Sequence, residues 1–339
     1  MNAIKSTIAE NIGGKAHKAA AKEHQFDIDA DVPDLSGKVA VITGGSEGIG
    51  YAAGFCMLRA GLEKLFIISM SKEVADGAVK DIGEKLGEEK AKKVVWLQCD
   101  LGDWKKIGET AKKILEQTDR LDILCLNGAR GIMTYQLTEY GVDRHIAVNH
   151  IGHVILTSHL LPLLKKTATA HPDSYIRIHA QSSNAHQMTP SDTHFASLDE
   201  LNRDLGPNGQ YGRSKLANLL HMRYLARHLT SSHPNILANA THPGFVETKM
   251  SSEDIHEPYP IMGYGMSKVM KPFKKDQWMG CASLLFVSTK TEKSGEYVCP
   301  PAVPEPGSEM ARDEGLGEQL MKLTGELIKK ELGEEMVFY

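Results

Sequence analysis

Four apolar residues in a row, Val39-Ala40-Val41-Ile42, lead straight into Thr43-Gly44-Gly45-Ser46-Glu47-Gly48-Ile49-Gly50. Ala52, Ala53, Phe55, Cys56, Met57 and Leu58 then follow in a helical pattern. An unbroken apolar run of that length suits a parallel strand covered on both faces. The glycines allow a tight turn and close approach of the backbone. The helix that begins there offers amide donors and the positive end of its dipole. Strand, glycine-rich turn and helix, in that order, make a seat for a dinucleotide pyrophosphate. The rhythm continues. Strand-like runs at 65–68, 94–98, 121–126, 175–179, 236–240 and 295–298 alternate with helical stretches, one of them spanning about 140–164. This predicts one doubly wound α/β sheet of about seven parallel strands. Ligands of such sheets collect beyond the carboxyl ends of the strands. Thr43, Asp100, Asn127, Ser183 and Pro243 each follow a strand and so converge on one edge.

Tyr211 and Lys215 stand four apart in Tyr211-Gly212-Arg213-Ser214-Lys215, which puts them on one face of a helix. A phenol ordinarily titrates near 10. An ammonium beside it favours the phenolate and pulls that value toward neutrality. Such a pair suits the proton exchange that accompanies interconversion of an alcohol and a carbonyl. On spacing alone, two residues on a solvated helix face is the competing reading.

The net charge of −4 and the lack of a basic patch with interleaved aromatics argue against a nucleic-acid partner. Cys56, Cys99, Cys125, Cys281 and Cys299 are odd in number and match neither a disulfide framework nor a zinc site, so reduced thiols and no metal are expected. His150, His153, His179, His186 and His242 share no ligand spacing and read as structural, with lining of the substrate mouth the alternative for His186. No apolar run reaches the length of a membrane span. Residues 1–36 read as an extension, helical near 16–22. Residues 1–22 hold several Lys and Glu10 as their one acid, which has the flavour of a mitochondrial transit peptide. A cytoplasmic protein whose extension packs on the body is the expectation, and mitochondrial targeting the alternative.

From 37 to 298 the chain resembles the short-chain dehydrogenase/reductase family. The resemblance rests on the turn at 43–50, Asp100-Leu101, Asn149-His150-Ile151-Gly152, Ser182-Ser183, Tyr211-x-x-x-Lys215 and Pro243-Gly244-Phe245-Val246-Glu247-Thr248, in that order. His153 after the Asn149 motif and the long gap from Ser183 to Tyr211 are similar to the retinol-dehydrogenase-like branch. Cys299-Pro300-Pro301 is similar to fungal light-induced members. The resemblance implies a single Rossmann-type domain over 37–339 and an NAD(P)(H)-dependent enzyme that interconverts a carbonyl and a secondary or primary alcohol. It implies a catalytic tetrad of Asn149, Ser183, Tyr211 and Lys215. Tyr211 is then general acid and base, and Lys215 lowers its pKa and holds the nicotinamide ribose. Ser183 holds the substrate oxygen as charge develops. Asn149 holds a water that links Lys215 to solvent. Ser182 is the rival hydroxyl, and Asn149 is also expected to tie backbone across the sheet. The cofactor is expected on Thr43, Gly44, Ser46, Glu47, Gly48, Ile49, Gly50, Ser69, Ser71, Lys72, Asp100, Leu101, Asn127, Gly128, Tyr211, Lys215, Pro243, Gly244, Val246 and Thr248.

Two departures from the family bear on the cofactor. Leu126-Asn127-Gly128-Ala129 stands where relatives usually read Asn-Asn-Ala-Gly. The second strand ends in Ser69-Met70-Ser71-Lys72, without the carboxylate that would bind the ribose hydroxyls of NAD. Hydroxyls and Lys72 suit a 2′-phosphate, whereas Glu47 would repel it. The balance favours NADP(H) over NAD(H).

In the family the segment after Gly244 caps the substrate. Here it covers about 247–275 and carries Met250, Tyr259, Ile261, Met262, Tyr264, Met266 and Met270, which suits a bulky apolar substrate and equally a loop anchored to the core. The insert at 186–208 resembles those that cover a dimer face, so a monomer or weak homodimer is expected. At 308–333 an amphipathic helix presents Leu316, Leu320, Leu323 and Leu327 on one stripe. A non-catalytic NAD(P)-binding regulatory or scaffold protein and an isomerising biosynthetic member are the competing functions.

Overall fold

The computed structural model describes residues 26–244, 246, 257–258 and 276–339. The helix expected at 16–22, Thr248 and the Met- and Tyr-bearing positions of the capping segment lie outside the described residues.

Seven parallel strands form the sheet, β1 (Val39–Thr43), β2 (Lys64–Ser69), β3 (Val94–Gln98), β4 (Ile123–Leu126), β5 (Ile176–Gln181), β6 (Ile236–Thr241) and β7 (Tyr297–Cys299). An eighth, β8 (Val303–Glu305), runs antiparallel to β7 and closes the edge. The expectation of about seven parallel strands holds, with the short antiparallel β8 added at the edge. β8 is three residues long and contains Pro304, so it has no apolar run to announce it, and its edge position is where a proline is tolerated. The order is β3-β2-β1-β4-β5-β6-β7-β8. It reverses between β1 and β4, and the crevice at that switch point is where such sheets take ligands.

Helices α1 (Gly48–Arg59), α2 (Lys72–Leu86), α3 (Trp104–Leu115), α4 (Gly152–Ala170), α5 (Gly206–Ser232), α6 (Ala282–Thr289) and α7 (Glu314–Leu332) flank the sheet. Strand alternation divides the core. Val39, Val41, Leu124 and Leu126 pack with α3, α4, α5 and α7 on one face. Ala40, Ile42, Ile123 and Cys125 pack with α1, α2 and α6 on the other. Both faces are therefore buried, as the apolar strands demand. Phe26 meets the Phe286 ring edge-on at 5.7 Å, seating the chain before β1 on the second face. In α7, Leu316, Leu320, Leu323 and Leu327 are all buried, and Asp313 caps its start by accepting from the Leu316 amide at 2.9 Å.

Against the sequence reading, one helical stretch among the described residues is long and apolar enough to cross a membrane, Arg144–Ala170. Its most apolar window is 89% buried inside the fold, so it is a core helix. Its ladder is interrupted by a π turn at Ala147–Ile151, with Asn149 at the centre. None of the five cysteines forms a disulfide, and all are buried.

Candidate active site

The glycine turn is built by close contact. Gly44 and Gly48 have φ of 64° and 57°, in the left-handed region that favours glycine. A Cβ on Gly50 would run into the Gly44 carbonyl oxygen, and one on Gly45 would come within 2.7 Å of Ile67 Cγ2. Thr43 is fully buried, and its Oγ1 accepts from the Asn127 and Gly128 amides, each at 2.9 Å. Asn127 Nδ2 donates to the Thr43 carbonyl at 3.1 Å. The ends of β1 and β4 are thus laced together, and the swapped small residues at 128–129 leave Asn127 at the turn. Ser46 is buried and Ile49 half-buried. Glu47 is extended at the N-cap of α1, where no side chain caps the helix and no acid stands in the first turn. The first amides of α1 therefore remain available to an anion, and these residues fit a dinucleotide.

Beyond β2, Ser69 Oγ accepts from Trp96 Nε1 at 2.9 Å. Ser71 caps α2 by accepting from the Val74 amide at 3.3 Å. Lys72 pairs with Asp76 at 2.5 Å, with both side chains well exposed. Asp100 is engaged on both oxygens, by the Gly102 amide at 2.8 Å and Arg144 at 3.1 Å. Leu101 is buried, and Gly152 packs so tightly on its carbonyl that a side chain there would collide. At the end of β6, Gly244 has φ of 80° and Val246 is buried against Gly280. Pro243 is half-buried.

The expected tetrad comes together at the carboxyl ends of β4 and β5. The Ser183 hydroxyl is close enough to the Tyr211 phenol to lower its pKa, and it accepts from the Ala185 amide at 3.1 Å. Ser182 donates instead to the Lys215 carbonyl at 2.8 Å, so its hydroxyl is spent on the backbone. Lys215 Nζ lies 5.4 Å from the Tyr211 ring centroid and donates to the Gln181 carbonyl at 2.9 Å. Asn149 uses its side chain on structure. Oδ1 accepts from the Arg130 amide at 2.6 Å, while Nδ2 donates to the Arg130 carbonyl at 3.0 Å and to Ser214 Oγ at 2.9 Å. Both amide protons are committed, which is the backbone-tying role.

Burial dominates the electrostatics. It pushes the Tyr211 phenol up to about 12, against the lowering effect of the Ser183 hydrogen bond. It lowers Lys215 to about 7. The expected direction for Tyr211 is thus reversed. Taking an ion out of water costs more here than a neighbouring amine returns, and Lys215, 2% exposed, is itself pressed toward the neutral form.

Several contributors escaped the sequence reading. Ser214 receives Asn149 and donates to the Tyr211 carbonyl at 2.8 Å. Arg213, 1% exposed, donates to the Glu200 carbonyl at 2.8 Å and to Gln210 Oε1 at 2.6 Å. His186, a candidate for lining the substrate mouth, is buried and tied to its neighbours. It is 1% exposed, with Nδ1 2.7 Å from the Ser183 carbonyl oxygen and Nε2 accepting from the Ser308 amide at 3.0 Å. It is a strut behind Ser183.

Residues 38–176 match the model of the short chain dehydrogenase family. A Neurospora crassa oxidoreductase, bli-4, whose name assigns it to mitochondria, is 51% identical over 334 residues, covering 97% of this chain and 80% of that protein. Human retinol dehydrogenase 14 is 29% identical, with 77% and 76% covered. A solved Mycobacterium paratuberculosis structure, 24% identical, superposes with a TM-score of 0.69 over 90% of this chain and 98% of that one, which bears on the fold alone. Identity to bli-4 over nearly the whole length, joined to the family match on the first strands, leaves one conclusion: the chain is an oxidoreductase of the short-chain dehydrogenase/reductase family, related to retinol dehydrogenases.

Proposed function

We propose that this enzyme interconverts a carbonyl and an alcohol on a bulky apolar substrate, with Tyr211 as the proton donor and acceptor. The observation that carries the reading is buried Lys215, its Nζ 5.4 Å from the Tyr211 ring centroid, with Ser183 near enough to influence the phenol. The bound nicotinamide supplies the hydride in reduction and takes it in oxidation. Tyr211, pushed up to about 12, keeps its proton through the neutral range and is a donor for reduction. In oxidation it accepts, and Lys215, near 7, is the adjacent group able to take or release a proton at working pH. Ser183 holds the oxygen on which charge develops. Asn149 secures the loop at Arg130 and, through Ser214, the helix turn that carries Tyr211.

The absence of a carboxylate at 69–72 supports NADP(H), whose 2′-phosphate would meet Ser71 and Lys72. The exposed Lys72–Asp76 pair is weak enough to open. A monomer or weak homodimer remains our reading, open to sedimentation. Of the two compartments, the mitochondrial one gains support from the name of bli-4, and cell fractionation decides between it and the cytoplasm. The direct test of function follows nicotinamide absorbance with NADPH or NADH against apolar ketones, aldehydes and quinones. Turnover, faster with NADPH, is expected. Cofactor binding without turnover of any of them favours the non-catalytic reading, and binding of neither cofactor sinks the proposal.

A further inference from the structure

His153 opens α4 one turn beyond Asn149, and its ring is 1% exposed. Both ring nitrogens have partners. Nδ1 lies 3.0 Å from the Asn149 carbonyl oxygen and Nε2 lies 2.9 Å from Thr43 Oγ1. Counting hydrogens fixes the direction of each bond. Thr43 Oγ1 already accepts two amides, from Asn127 and Gly128, which uses both lone pairs of a hydroxyl. Its single proton is left to donate, and His153 Nε2 is nearer than the alternative acceptor, the Cys125 carbonyl at 3.4 Å. A neutral ring that accepts at Nε2 donates at Nδ1, and the Asn149 carbonyl stands there to receive it. Burial favours the neutral ring, with its pKa lowered to about 3.

The ring thus continues a chain of bonds. From Asn149 it passes through Nδ2 to Ser214 Oγ at 2.9 Å and on to the Tyr211 carbonyl at 2.8 Å. Asn149 sits in a π turn, where the regular i→i+4 ladder is displaced and its carbonyl takes a side-chain donor. We propose that His153 is a positioning residue that locks the dinucleotide turn to the catalytic cluster, so that the placement of Thr43 and that of Tyr211 are set together. This rests on the function proposed for Tyr211. It predicts that breaking the link lowers kcat more than it weakens cofactor binding, since small misplacements of reacting groups cost rate heavily.

The test has two parts. In protein labelled with ¹⁵N-histidine, long-range ¹H–¹⁵N spectra, with His153 assigned by its loss in a variant, should give the Nδ1–H tautomer, unchanged from pH 5 to 9. The Nε2–H tautomer, or titration in that range, overturns the proposal. In kinetics, His153→Phe should lower kcat on the order of tenfold to a hundredfold, with cofactor Kd held within about threefold. Thr43→Val should fall in the same direction and Thr43→Ser should recover most of the rate. A purely space-filling ring would leave kcat per cofactor-binding site within about twofold in every variant, and that result also overturns it. Should His153→Phe fail to fold, His153→Gln and the Thr43 pair carry the comparison. No turnover in the wild type removes the proposed function and this inference together. Turnover indifferent to His153 and Thr43→Val removes this inference alone.

Discussion

The two ends of the sheet hold their buried polar groups by different means. At the amino ends of the strands, Asp122 is fully buried and paired with charge. It accepts two bonds from Arg120, each at 2.8 Å, and one from the Val39 amide at 2.9 Å, with Lys38 at 3.7 Å. Glu63 and Lys93 close the rim nearby at 2.8 Å. Around the catalytic cluster and in the core behind it, the buried titratable groups are pressed toward neutrality. His153, His179 and His221 are lowered to about 3, His150 falls well below its ordinary value, Tyr211 rises to about 12 and Lys215 drops to about 7. Charge pairing fixes the fold where nothing need change state. At the other end the reacting groups Tyr211 and Lys215 are pressed toward their neutral forms, while the ions there, Asp100 with Arg144 and Arg213 with Asp143, are held in pairs.

Acid should break this comparison most severely. The unfolded chain protonates each of the four histidines below about pH 6.5, whereas in the folded protein burial resists protonation until far lower pH. Their full stabilising share is present above pH 6.5 and is lost as pH falls, by about 1.4 kcal/mol per pH unit for each ring. Urea unfolding at pH 7 and pH 5 should differ by on the order of 7 kcal/mol. A difference below about 2 kcal/mol would mean the rings are already solvated.

Removing the partner at the other end comes next. Asp122→Ala strands Arg120 and Lys38 and should cost about 3–5 kcal/mol, while kcat of the folded fraction stays within about twofold. A large fall in kcat would erase the distinction between the two ends. Within the catalytic end, Ser183→Ala should lower kcat by roughly a hundredfold at little cost in stability. Ser182→Ala should cost about 1 kcal/mol of stability and spare the rate, because its hydroxyl serves the Lys215 carbonyl. The reverse pattern would reinstate Ser182. The smallest effect belongs to the exposed rim of the cofactor site. Lys72→Ala should weaken NADPH by about threefold to fivefold and leave NADH unchanged. Equal effects on both would remove Lys72 from cofactor choice.

What the sequence reveals here is what lies close together in it. The glycine turn sits between its own strand and helix, and Tyr211 and Lys215 share one helix face, so both are legible by spacing. The roles of Asn149 and His153 are not, because their links to Arg130, Ser214 and Thr43 span 19 to 110 residues. The π turn that aims Asn149 leaves no mark on composition. β8 is too short, and interrupted by Pro304, to register as a strand. A neighbouring charge, taken alone, lowers the pKa of Tyr211. Burial, a property of the assembled core, reverses it. His186 illustrates the same limit, since its place behind Ser183 depends on Ser308, 122 residues on.

Tyr211→Phe removes one oxygen and leaves the ring in place, so it isolates the proton that the proposed reaction needs. With NADPH and a substrate turned over by the wild type, kcat should fall by roughly 10²–10⁴, with cofactor binding and melting temperature unchanged. A variant that binds cofactor normally and keeps kcat within about tenfold of wild type would place the proton elsewhere and contradict the role assigned to Tyr211.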